Sequence, residues 1–189
     1  MPVSKKRKLK NGKKPVRKAK GHLDSIFMPQ WKIDNIKAQF SDISLLAEIK
    51  LGTGGCNFDD AAKIRDVINA TAWVSTYKTM VSKDLSLEWV EENAQMFREG
   101  QDAFQSFYDR GNKLGGSKDP SIRYIATGDE FTKIKNIVMI GDYFISEMLE
   151  ERPLTFCKLY DAMKQFLGEK GLGRVHFDHK DILRIMQGI

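Results

Sequence analysis

Apolar side chains recur every three or four residues over long stretches of this chain, the spacing that puts them on one face of a helix. From Ile33 onward, Ile36, Phe40, Ile43, Leu46 and Ile49 form such a stripe, with Gly52 placed where a helix would end. Three glycines among residues 52 to 55 disfavour both regular structures, so Gly52 to Asn57 is expected to be a loop. A second helix is predicted from about Asp59 to Val81, carrying Ala61, Ile64, Val67, Ile68, Thr71 and Val74 on one face, widened by Trp73 and Tyr77. A third runs from about Leu87 to Arg110, with Ser86 as a cap and a stripe through Trp89, Val90, Met96, Phe97, Phe104, Phe107 and Tyr108.

Gly111 to Ile125 holds Gly115, Gly116 and Pro120 and interrupts the period, which predicts a connection. Thr127 and Glu130 then stand three apart, the spacing at which each side chain can bond the other's free amide at a helix start. The fourth helix continues through Phe131, Ile134, Ile137, Val138, Gly141, Phe144, Ile145 and Met148, apolar on so wide a face that a central position in the bundle is expected. Pro153 opens a fifth helix with Phe156, Leu159, Tyr160, Met163 and Phe166, which stops at Gly168. A short last helix from Lys180 to Gln187, capped by Asp178, and one strand-like run from Gly173 to Phe177 complete the pattern. The expected fold class is all-α: a compact bundle of about five to six helices.

Before that bundle the pattern is different. Residues 1–30 contain little to bury and are expected to form a flexible, disordered basic arm, with 31–189 as a single helical domain. Within 1–20 lie Lys5, Lys6, Arg7, Lys8, Lys10, Lys13, Lys14, Arg17, Lys18 and Lys20, and no acidic residue. Setting these ten aside from 31 basic and 25 acidic residues leaves 21 against 25, so a chain of net charge +6 carries a body of −4. A polyanion is attracted to one end of such a molecule and weakly repelled by the rest, unless the body holds a local patch that this count averages away. The same lysine blocks also pass as a two-part nuclear import signal, a pattern with many chance matches.

Other candidate chemistry adds little. The two cysteines, Cys56 and Cys157, are too few and too far apart for a disulfide scaffold and are expected as reduced thiols. The glycine loop lacks the Gly-Lys-Ser or Gly-Lys-Thr of a phosphate-binding loop, and Asn57, Asp59 and Asp60 stand where phosphate charge would sit. Glu88, Glu91 and Glu92 on the third helix, and Glu147, Glu150 and Glu151 on the fourth, are the raw material of a helical divalent-metal site. On the third helix, however, they flank or oppose the apolar stripe, which reads as a solvated acidic face. His176 and His179, three apart beside Asp178 and Asp181, would need a further ligand from Cys157 or His22 to hold a metal. No nucleophile elbow occurs.

The expectation is therefore a non-enzymatic, cytoplasmic accessory protein without metal, cofactor or catalytic residues, which binds nucleic acid, DNA or RNA without sequence preference, through the arm. The alternative is a protein-interaction module, an adaptor or inhibitor of a partner machine acting through its helical surface. A protein partner or a second copy fits either reading, and no membrane contact is expected. The arm contains no aromatic residue between 1 and 20, so it offers phosphate contacts and no base readout.

Overall fold

A computed structural model describes residues 28–81 and 87–169, of which 79–81, 87–94 and 169 are described by their backbone alone. Its elements are α1 (Gln30–Thr53), α2 (Phe58–Val81), α3 (Leu87–Lys113), α4 (Gly128–Glu151) and α5 (Pro153–Glu169). The all-α expectation holds, with five helices among the described residues. The expected arm up to residue 27, the Ser86 cap, the strand-like Gly173 to Phe177 and the last helix at Lys180 to Gln187 fall outside them. α1 starts three residues earlier than its stripe predicts, because Pro29 supplies the carbonyl that Lys32 and Ile33 bond.

Two helices run past their expected ends, α1 through Gly52 to Thr53 and α3 past Arg110 to Lys113. α1 stops where Gly54 turns into the left-handed region at φ 66°, and the Gly55 amide bonds the Lys50 carbonyl at 3.0 Å. At the start of α4, Thr127 Oγ1 accepts from the Glu130 amide at 3.2 Å while the Thr127 amide donates to Glu130 Oε2 at 2.8 Å. This is the reciprocal cap that the Thr-x-x-Glu spacing predicts.

α4 is the centre of the bundle and packs against each of the other four helices. Its Ile134, Ile137, Val138, Ile145 and Leu149 are closed off from solvent. Two glycines set the closeness of that packing. A Cβ on Gly141 would lie 2.0 Å from Thr71 Oγ1 of α2, and one on Gly100 of α3 would lie 3.0 Å from Ile137. α1 runs antiparallel to α4, held by Lys37 to Glu150, Ser41 to Asp142 at 2.9 Å, and Lys135 to Glu48.

The 114–127 connection does more than join α3 to α4. Tyr124 is fully buried, its amide bonded to the Cys56 carbonyl at 2.8 Å and its hydroxyl donating to Asn112 Oδ1 at 2.7 Å. Its ring packs on Phe107, Tyr108 and Phe58 with centroids 5.7 to 6.5 Å apart. Gly111 and Gly116 leave the space this ring fills, since a Cβ on either would lie within 2.6 Å of it. No helix among the described residues is long and apolar enough to cross a membrane.

Candidate functional site

The ten cations from Lys5 to Lys20 lie outside the described residues, as do His22, His176, Asp178, His179 and Asp181. Glu88, Glu91 and Glu92 lie on the first turns of α3, where only the backbone is described. The remaining candidates can be placed.

The glycine loop is a helix-to-helix turn. Asn57 Oδ1 accepts from the Asp60 amide at 2.8 Å, and Asp60 Oδ2 accepts from the Asn57 amide at 3.2 Å. These two side chains therefore occupy amides at the start of α2, and Asp60 adds its negative charge there. Cys56 beside it is fully buried, and its thiol is pushed up to about 12, first by burial and then by Asp60, against a smaller opposing pull from Lys50. It is held as an inert core thiol.

The glutamates at the end of α4 are pulled apart rather than gathered. Glu147 pairs with Lys78 of α2, and Glu150 pairs with Lys37 of α1. Each carboxylate answers a lysine on a different neighbour, which clamps the end of α4 to both helices. Among the described residues, no three His, Cys, Asp or Glu side chains gather as a metal would need.

One feature that the sequence did not disclose is an open groove of about 420 Å3. α1 lines it with Lys32, Ile36, Gln39, Phe40 and Ile43; α2 with Lys63, Asp66 and Val67; α5 with Phe156, Cys157, Tyr160 and Asp161. Its aromatic floor is tightly ordered. Phe40 meets Phe156 and Tyr160 edge to face at 5.6 and 5.7 Å, and Phe156 stacks on Tyr160 at 5.8 Å. Lys164 Nζ sits 4.6 Å from the centre of the Tyr160 ring. Burial pushes both the Tyr160 hydroxyl and the Cys157 thiol up, while Lys164 and Lys32 respectively pull them back down less strongly. Asp66 is engaged by Arg65 at 3.0 Å, whereas Lys32 and Lys63 form no ion pair among the described residues.

The stripe of α1 therefore needs correcting in detail. Phe40 and Ile33 are core, but Ile36 and Ile43 face the groove and are only half-buried, and Ile49 is 51% exposed. The sequence period finds the face of a helix, and it does not say whether a neighbouring helix closes over that face. The second missed feature is Arg110. Its guanidinium donates to Glu130 Oε1 and Oε2 at 3.0 and 2.5 Å and to the Ile125 carbonyl at 2.8 Å, tying the end of α3 to the start of α4.

In comparison with known proteins, the chain matches no family model, no characterised protein and no solved structure.

Proposed function

We propose that this chain is a non-enzymatic helical accessory protein that binds nucleic acid, or a nucleoprotein complex, through Lys5 to Lys20. The observation that carries the reading is the segregation of charge: ten cations and no anion in residues 1–20, on a remainder of net −4. An arm of this composition neutralises phosphates and releases their counterions, which gives affinity without sequence choice. The helical bundle then acts as the cargo that the arm localises. Purification of full-length protein and a form lacking residues 1–20, each with and without nuclease, tests this. The full chain is expected to carry nucleic acid that nuclease removes, and the shortened chain to carry none. Equal nucleic acid on both forms would contradict the reading.

A second reading, a protein-interaction module, is favoured by one surface of the bundle. Ser41 to Asp142 and Lys135 to Glu48 fix the register of α1 on α4, and between them Leu45 and Met139 stand level across the seam. Because the helices are antiparallel, Tyr143 lies one turn toward one end of this seam and Ile49 one turn toward the other, and these four side chains are 51 to 64% exposed. Exposed apolar residues in a row along one seam mark contact surfaces more often than scattered single ones do. Leu45→Glu and Tyr143→Glu should leave folding intact, because both residues are exposed, yet should abolish recovery of a defined partner by the arm-deleted body. Unchanged recovery from both variants would remove this surface from consideration.

A further inference from the structure

We propose that the groove between α1, α2 and α5 is the seat of this chain's own residues 178–189, whose predicted helix lays its apolar face along it as a sixth helix of the bundle. α1 and α5 both pack on α2 and α4, yet they share no broad interface of their own. They meet through Phe40 against Phe156 and Tyr160, and over those rings the groove lies open.

Its walls are a helix-packing face with one partner missing. Ile36, Phe40 and Ile43 recur at four and three residues on α1, and Cys157 and Tyr160 stand three apart on α5. Ile36, Ile43, Cys157 and Tyr160 are half-buried: the core covers one side of each, and the groove opens on the other. From Ile36 to Ile43 this face is about 10 Å long, and an eight-residue helix is about 12 Å long.

The chain that follows α5 carries a matching occupant. A helix is predicted over 180–187, and Ile182, Ile185, Met186 and Ile189 fall at helical spacing, an apolar stripe that needs a surface to cover. Residues 170–179 join it to α5, a contour of at most about 40 Å. The return along α5 from Glu169 to Tyr160 takes only about 14 Å, and Gly171 and Gly173 stand where the chain has to reverse. The charges agree as well. The lining carries Lys32 and Lys63 against Asp66 and Asp161, a balanced rim that does not favour a polyanion. Residues 178–187 are balanced in the same way, Asp178 and Asp181 against Lys180 and Arg184, so each sign finds its opposite on the rim.

The two cysteines make the test. Cys157 lines the groove and reports whether it is filled, while Cys56, fully buried, reports whether the fold is intact. In the full-length chain Cys157 should react slowly with a maleimide. Ile182→Asp with Ile185→Asp, and separately removal of residues 171–189, should speed that reaction roughly tenfold while Cys56 stays protected. An equal Cys157 rate in all three proteins overturns the proposal. Cross-linking checks the placement with the segment kept: in Ile182→Cys, Ile185→Cys or Met186→Cys, mild oxidation should join the introduced thiol to Cys157 within one chain. A disulfide between two chains instead makes a second copy the occupant, and either that result or no disulfide at any of the three positions overturns the proposal. Should the altered chains expose Cys56, they have unfolded, and the cross-link decides alone.

Discussion

At the scale of single residues, the Arg110 to Glu130 pair makes the most definite claim about stability. Glu130 is 8% exposed, and burial alone would raise its carboxyl. Hydrogen bonds from Arg110, the Thr127 amide and Ser106, with the Arg110 charge, outweigh that and hold it at about 2 against an ordinary 4.5. A carboxyl depressed on folding stabilises the native state only while it is ionised, so the contribution is complete above about pH 4.5 and is lost as pH falls toward 2. Glu130→Gln should cost about 2 kcal/mol at neutral pH, because a neutral amide loses the charge-assisted bonds from Arg110 and cannot accept as the carboxylate does from the Thr127 amide as well. Urea unfolding of the two proteins as a function of pH checks it: the stability difference should shrink between pH 4.5 and 2, and a constant difference would refute the assignment. Thr127 and Glu130 were legible in the sequence because a cap is local. Arg110 was not, because its partner is twenty residues away and only the 114–127 connection brings them together.

At the scale of elements, the bundle depends on how closely α2 and α4 approach. Gly141→Ala would improve helix propensity by roughly 1 kcal/mol in isolation. Here its Cβ would meet Thr71 Oγ1 at 2.0 Å, and that hydroxyl is already committed to the Val67 carbonyl at 2.7 Å. Overpacking of this kind costs about 1–3 kcal/mol, so the substitution should lower the melting temperature despite its propensity. Adding Thr71→Ala should restore most of the loss, and a stabilised single variant would contradict the geometry. Helices α3 to α5 were readable because each keeps a one-sided apolar period over 17 residues or more, whereas every residue of α2 from Val67 to Val74 is buried, so its stripe showed only part of the face it packs. Tyr124 was not, since one aromatic among glycines, serines and a proline has no period, and its burial comes from a slot made by Gly111 and Gly116. The groove was hidden for the opposite reason. Ile36, Ile43, Phe156 and Tyr160 have the period of core residues, and their openness to solvent comes from the spacing of three helices.

At the scale of the whole molecule, charge divides the chain into two parts of opposite sign. The cations are legible at once in the sequence, and a count of the remaining charge assigns the basic character of the protein to residues 1–20. The central claim is that the arm is the nucleic-acid contact, and a salt titration of binding measures it most directly. Affinity of the full chain for duplex should fall steeply with salt, with a log-log slope near −0.9 for each phosphate neutralised, and deletion of residues 1–20 should remove both the affinity and the slope. Binding by the shortened chain with the affinity and salt slope of the full one would contradict the account.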